Sequence, residues 1–573
     1  MDLFKKTASF LVIIFLSIPA VWALFGNGYF PMHDDTQVAR VYEMAAALRD
    51  GQFPVRWVSD LGYGYGYPIF NFYAPLPYYI GAVIHLLGFD IVFATKMIFL
   101  LGLLLAGVTM FLLGKSIWGI KGGIVSALFY MYAPYHAVQI YVRGAAGELW
   151  AYGFLPLVFL GVFGLFQLDE LPLTSKAHIK AIIVGGLGLA GVVLSHNITG
   201  MLTLGFLIIG CISCIPILLL TQKNVGRSYI NFIIMILLGL GLSAFFWFPA
   251  LTESKYTHVH TLVEGSNDYR QHFVYPDQLW DSPWGYGGSA PGRADGMSFK
   301  IGKLHLFIAG LGLLFIILKS VKYKSYKMNM GLGILCATGC VVSILMMLSV
   351  TQPVWEVVPY FAYIQYPWRF LVFVLFFISL LAGGFTADFE KGSMLSKIQM
   401  MIGAIILVVL IGWNYKYFQP HYLYPLYESD VTPETITGKY SQISDEYLPQ
   451  NFVIPGQGGE IRSSKISSTN DIIVQHEETK SDLWDLTLFT KESAEIVFRL
   501  ADFPGWHAYV DTHEARLDTH LGLLSIQLPS GTHQVKLFFT DTLVRQISNG
   551  ISGLTLVILG IFLTKYMSVH DEK

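Results

Sequence analysis

Long apolar stretches alternate with shorter polar ones along the chain, and the apolar stretches exceed what a soluble fold requires. A helix needs about 20 apolar residues to cross roughly 30 Å of hydrocarbon. Runs of this kind lie at 7–25, 92–114, 119–135, 149–167, 180–196, 199–220, 229–249, 303–319, 329–350, 369–387, 399–415 and 547–566, which predicts about twelve membrane-spanning helices. The first run follows Lys5 and Lys6, is long, and has no small-residue cleavage site behind it, so it reads as a retained helix. The segment 75–88, PLPYYIGAVIHLLG, is too short to span. It reads as an interfacial helix with Tyr78 and Tyr79 at headgroup depth.

Composition sharpens this picture. Of 573 residues, 54% are hydrophobic and 13% charged, against about 25% charged in soluble domains. Lys+Arg 37 against Asp+Glu 39 gives a net charge of −2, so no global field favours a polyanion. A soluble globule, a disordered chain and a nucleic-acid binder are excluded. The cations orient the bundle. Lys115 and Lys121, Lys176 and Lys180, Lys223 and Arg227, then Lys319, Lys322, Lys324 and Lys327, Lys391 and Lys397, and Lys565 and Lys573 all fall on one side, which predicts cytoplasmic N- and C-termini. Cys211, Cys214, Cys336 and Cys340 lie inside apolar runs and read as small buried membrane residues rather than a metal or redox site.

The polar segments then collect on the outer face: a first loop at 26–91, shorter loops at 136–148 and 351–368, the turn Ser195-His196-Asn197, and a loop at 250–302. Loops this long between membrane helices usually carry function. The chain divides into a transmembrane domain at 1–415, an extracytoplasmic β-rich domain at 416–545, and a final helix with a cytoplasmic tail at 546–573. In the middle unit, LWDLTLFT, AEIVFRL, LLSIQL and HQVKLFF partly alternate and are separated by turn signals such as Pro504-Gly505 and Ser530-Gly531, predicting an antiparallel β-sandwich.

Candidate chemistry begins just past the first helix, at His33-Asp34-Asp35. Two acids at a membrane surface suit a general base or metal ligands. Equally, Asp34 or Asp35 could cap the amphipathic helix that buries Val38, Val41, Ala45 and Leu48, with Gln37 completing a capping box with Asp34. The aromatics Tyr63, Tyr65, Tyr67, Phe70, Phe72 and Tyr73 could stack on a sugar or form an interfacial belt. Lys96 lies inside the start of the second span, Arg143 stands five residues before Glu148, and Arg369 sits at the outer end of a helix. Charges at such depths are costly and usually face the bundle interior, although snorkelling to headgroups is the alternative. Glu148 could pair with Arg143. His196 and Asn197 could reach the same cavity or bond free helix-end carbonyls. Glu253, His258, His260 and the stretch 281–288 could bind an acceptor or form a lid.

Several stretches, taken in order, resemble a known family: His33-Asp34, Gly51-Gln52-Phe53-Pro54-Val55-Arg56-Trp57, Gly64-Tyr65-Gly66-Tyr67-Pro68, Arg143-Gly144 with Glu148, Ser195-His196-Asn197, Gln365-Tyr366-Pro367-Trp368-Arg369 and Glu446-Tyr447-Leu448-Pro449. The family is that of the YfhO-like prokaryotic membrane proteins filed as 6-pyruvoyl-tetrahydropterin synthase-related. The stretch Phe503-Pro504-Gly505-Trp506-His507-Ala508-Tyr509-Val510-Asp511 is similar to the Pro-Gly-Trp strand of the YfhO type. The retained first helix, the acidic outer loop, the YAPLPYY segment and the many-helix tail look like the GT-C glycosyltransferases.

That resemblance implies a polytopic α-helical GT-C-like membrane protein with a C-terminal extracytoplasmic β-sandwich. It implies transfer of a sugar from a polyprenyl-phosphate donor to an outer-face acceptor, whether envelope glycan, lipid or protein. Asp34 is then the base, or helps hold a divalent metal; Asp35 is the adjacent acid. The donor phosphate falls to Arg143, Lys96 and Arg369, supported by His33, Glu148, His196 and Asn197. A divalent ion such as Mg or Mn is the one cofactor implied, with Asp34, Asp35 and His33 as ligands. Two rivals stand beside this reading. A transporter or flippase for lipid-linked glycans predicts internal helix repeats. A non-catalytic envelope scaffold predicts that Asp34 is dispensable.

Overall fold

A computed structural model describes residues 2–167, 175–221, 225–322, 327–386, 394–443, 445–455 and 464–568. All twelve predicted apolar runs are helical. Among the described residues nine helices are long and apolar enough to cross a membrane. One of them, Ile91–Met131, supplies two predicted runs, because Gly119 (φ 78°, ψ 179°) turns the chain back on itself. That conformation suits glycine alone among common residues. The two arms then pack closely, with Gly114 against Ser126 and Gly123 against the Phe111 carbonyl. Asn197–Thr221 and Met394–Asn414 cover the remaining two runs. Of the cations that orient the chain, Lys223, Lys324, Lys391 and Lys573 lie outside the described residues.

The first loop is folded into the protein rather than spread over it. Its helix Gln37–Arg49 buries Val38, Val41 and Ala45 as expected, but also Gln37, Arg40 and Glu43 from the other faces. Helix Leu76–Leu86 is short, as the sequence predicts, and Gly81 lets it approach Val41 and Ile98. Tyr78 does not face outward toward headgroups. It is fully buried and its hydroxyl donates to Gln37 Oε1 at 2.7 Å.

Nine strands follow: β1 (Ile466–Ser468), β2 (Ile472–Thr479), β3 (Leu483–Thr490), β4 (Ala494–Ala501), β5 (Trp506–Val510), β6 (His513–Ala515), β7 (Asp518–His520), β8 (Leu523–Leu528) and β9 (Gly531–Phe539). They form two antiparallel sheets, ordered β1-β4-β8-β7 and β2-β3-β9-β5-β6. Strict alternation in β3 turns Trp484, Leu486 and Leu488 inward, the period-two pattern of a sheet with one buried face.

The first loop and the sandwich share a core. Trp57 packs against Phe503, Trp506 and Phe539, Tyr65 against Phe452, and Phe72 against Tyr447 and Phe503. Tyr63, Tyr65, Tyr67, Phe70 and Phe72 are all buried, so this stretch is neither a membrane belt nor an open sugar platform. Beneath it runs an ionic network. Glu253 accepts from Arg545 Nε at 2.8 Å, Asn71 Nδ2 at 2.8 Å and Thr542 Oγ1 at 2.6 Å. Arg56 donates to Asn71, Asp541 and Asn549 at 2.9–3.0 Å. Glu253, a sequence candidate for acceptor binding, is therefore fully engaged in joining the first loop to the final helix.

Candidate active site

The chain leaving the first helix pairs with a segment more than a hundred residues away. His33 N–H donates to the Val142 carbonyl and Asp34 N–H to the Arg143 carbonyl, both at 2.9 Å. Residues Val138–Arg143 form a π-helical turn, a rare conformation often found at functional sites. Gly144 closes it at φ 67°, where a Cβ would collide with Met32. These local features bring Arg143 to Asp34.

Asp34 does not cap the following helix. The cap position is Thr36, without a side-chain bond, and Gln37 Nε2 donates to the Asp34 backbone carbonyl at 3.1 Å rather than to its carboxylate. The carboxylate is thereby released, about one-third exposed, to His33 Nδ1 at 2.9 Å and Arg143 Nη2 at 4.0 Å. Enclosure by protein works against its charge, but the His33 hydrogen bond and Arg143 overcome this and hold its pKa below the usual carboxylate range. The same hydrogen bond raises the His33 pKa against the opposing effect of enclosure.

Asp35 faces elsewhere. Its partner is Lys439 Nζ at 3.6 Å, on the connector to the sandwich, and enclosure raises its pKa despite that lysine. The two acids thus have different partners, His33 and Arg143 for Asp34 and Lys439 for Asp35.

Behind Asp34 lies a buried ionic layer. Arg143 Nη1 donates to Glu148 Oε2 at 2.5 Å and to the Tyr135 hydroxyl at 3.2 Å, and that hydroxyl donates to Glu148 Oε1 at 2.6 Å. The guanidinium also sits 4.6 Å from the centre of the Trp368 ring. Burial opposes the Arg143 charge, yet Glu148, Tyr135 and Asp34 raise its pKa and keep it protonated. Gln365 takes φ 63°, which turns its amide so that Oε1 accepts from Arg369 Nη1 at 2.9 Å. Nη1 of Arg369 also donates to the Ile364 carbonyl at 2.6 Å, while its buried Nε has no hydrogen-bond partner among the described residues. Tyr366 and Trp368 stack at 4.9 Å, making the 365–369 motif a cradle for both arginines.

Other predicted residues fall around this layer. His196 Nδ1 accepts from the Thr199 N–H at 3.3 Å and bonds the Thr199 hydroxyl at 2.8 Å, capping the helix behind it. Enclosure pushes its pKa down to about 3, against the pull of Glu148 and with added repulsion from Arg369 and Arg143. Asn197 donates to the Phe72 carbonyl at 2.8 Å. Lys96 is not in this group. Its ammonium donates to the Gly26 carbonyl at 2.6 Å and lines a separate cavity. Asp281 pairs with Lys300 and Lys303, and Gly288 lies so close to the His33 ring that a Cβ there would overlap it. Sequence reasoning missed Tyr135, Gln365 and Trp368 as site residues; the last two lay within a motif already recognised.

The donor set does not fit a divalent metal. Asp34 and His33 bond each other, Asp35 pairs with Lys439, Glu148 is taken up by Arg143 and Tyr135, His196 accepts from Thr199, and the Arg143 guanidinium stands 4.0 Å from Asp34. Among the described residues no group of three or more His, Cys, Asp or Glu is placed to hold an ion.

The model of the 6-pyruvoyl-tetrahydropterin synthase related domain, a membrane protein family, matches residues 70–419, more than half the chain. The chain belongs to this family. The match includes Lys96, Arg143, Glu148, His196 and Arg369 but begins after Asp34. An uncharacterized protein of Lactococcus lactis subsp. cremoris is 26% identical over 253 residues, which is 43% of this chain and 40% of that protein's length. Among solved structures, the archaeal oligosaccharyltransferase AglB from Archaeoglobus fulgidus, in complex with an inhibitory peptide and a dolichol-phosphate, aligns with TM-score 0.50 at 11% identity. That alignment covers 77% of this chain and 60% of AglB. The mycobacterial arabinofuranosyltransferase AftD aligns with TM-score 0.44 at 14% identity, over 72% of this chain and 27% of AftD. This member of the pterin-synthase-related family thus has a GT-C-like fold, with twelve helical runs among the described residues and a β-sandwich before the last of them.

Proposed function

We propose that the protein is a membrane glycosyltransferase that moves a sugar from a polyprenyl-phosphate donor to an acceptor outside the cytoplasm. The observation that carries this reading is the Asp34 carboxylate, partly open to solvent, set 4.0 Å from a buried arginine in a GT-C-like fold. Asp34 takes the proton of the acceptor hydroxyl as its oxygen attacks the anomeric carbon. The bond from that carbon to the phosphate oxygen breaks, and the polyprenyl phosphate leaves as an anion. Arg143 and Arg369 supply positive charge to the leaving phosphate, where stabilising developing charge is usually the largest catalytic contribution. Glu148 and Tyr135 fix Arg143, Gln365 fixes Arg369, and His33 orients Asp34. The dolichol-phosphate bound to AglB supports a lipid-phosphate donor in kind.

The test is to incubate purified protein with a panel of polyprenyl-phosphate sugars and measure release of polyprenyl phosphate together with acceptor glycosylation. Release coupled to transfer is the expected result. Movement of intact lipid-linked glycan across proteoliposomes, with no bond cleaved, would establish the transporter reading instead.

A further inference from the structure

A cavity of about 610 Å³ lies between the end of the first helix and the start of Ile91–Met131. Gly26, Asn27, Asp90, Lys96, Leu423 and Tyr427 are among its lining residues. Lys96 is 93% buried (7% exposed), and its only hydrogen bond among the described residues is to the Gly26 carbonyl. It forms no ion pair within 4.0 Å among the described residues. An ammonium has three donors, and burying one without an anion is costly. Asp90 lines the same cavity, but its Oδ1 accepts from Val92 N–H and Phe93 N–H at 2.8 and 2.9 Å as the helix cap, and it makes no ion pair with Lys96 within 4.0 Å.

The approach to the cavity is apolar. Leu11, Phe15, Ile18, Trp22 and Phe25 are exposed at spacings of three and four, one continuous stripe along the first helix, and it ends at the cavity. Phe93 and Tyr427 are exposed beside the opening. A buried cation at the head of a lipid-facing stripe suits a lipid with a phosphate head, and because the cavity lining shares no residue with the Asp34–Arg143 layer, that lipid is a membrane phospholipid rather than the sugar donor.

We propose that this cavity binds the headgroup phosphate of an anionic membrane phospholipid on Lys96, with its acyl chains along the 11–25 stripe. The site goes beyond the transferase reading and does not depend on it, since none of its residues belongs to the Asp34–Arg143 layer. Native mass spectrometry of the full-length protein in detergent, titrated with phosphatidylglycerol, tests it. Wild type and Lys96→Arg should retain a phosphatidylglycerol adduct, and Lys96→Met should bind at least about tenfold more weakly. Diacylglycerol with the same chains should leave no adduct, and inorganic phosphate should not displace the lipid. Should Lys96→Met fail to fold, Asn27→Trp fills the cavity from an exposed position, keeps the lysine, and should also lose the adduct. Equal adducts in wild type and a folded variant, equal retention of diacylglycerol, or displacement by inorganic phosphate would overturn the proposal.

Discussion

Arg143 serves two carboxylates of different standing: Glu148, buried and bonded at 2.5 Å, and Asp34, partly open at 4.0 Å. Losing the arginine alone strands Glu148 in the interior, which costs about 3–5 kcal/mol for a buried pair. Arg143→Met should therefore lower unfolding stability by that amount, and Arg143→Met with Glu148→Leu should regain most of it, as read from denaturant or thermal unfolding in detergent. The Arg143–Glu148 pairing was legible from a spacing of five residues. The freedom of Asp34 was not, because local pattern favoured a capping role. What overrides the cap is backbone pairing of residues 33–34 with Val142 and Arg143, a contact that no short window of sequence contains.

At the scale of elements, the helix Gln37–Arg49 holds a buried acid, Glu43, whose Oε1 accepts from the Asp60 N–H at 3.2 Å. Burial pushes the Glu43 pKa well up, with Asp60 adding to it. Burial likewise raises Asp60 to about 6, with Glu434 adding to it while Lys465 and Arg499 pull against it. A carboxyl raised on folding contributes stability that is full below its unfolded pKa of about 3.9 and is lost as pH rises through the folded value. Wild type should accordingly show a higher Tm at about pH 5 than at about pH 7. Asp60→Asn should show a smaller difference, as differential scanning fluorimetry would report. Neither acid stood out in the sequence, since an isolated Glu in an amphipathic helix reads as a solvated face. The helix is enclosed on several sides because the first loop folds back over it, Asp60 bonding Glu43 and Tyr78 bonding Gln37 and Arg40. Spans and the longer strands, by contrast, were legible, because hydrophobic periodicity and lipid thickness act locally; the three-residue strands β1, β6 and β7 carry too little pattern and were not. The aromatic stretch at 63–73 was identifiable as apolar, but its partners Tyr447, Phe452 and Phe503 lie hundreds of residues away.

For the whole molecule, the shared core of first loop and sandwich makes them one mechanical unit at one end of the bundle, with the Gly119 turn at the other end. The lysine pattern predicts that the sandwich lies outside the cell. In a cysteine-free background, Leu521→Cys, exposed in the sandwich, should react with a membrane-impermeant maleimide in intact cells. Lys121→Cys, beside the Gly119 turn, should react only after permeabilisation. The reverse pattern would place Asp34 on the wrong side of the membrane for an external acceptor.

The central claim is that the Asp34 carboxylate takes part in glycosyl transfer, and one comparison addresses it most directly. Transfer from a polyprenyl-phosphate sugar is measured for wild type and Asp34→Asn, with donor binding measured on the same samples. The account predicts that Asp34→Asn binds donor but transfers about 10²–10⁴-fold more slowly, the range lost with a positioned base. Transfer by Asp34→Asn at the wild-type rate would contradict it.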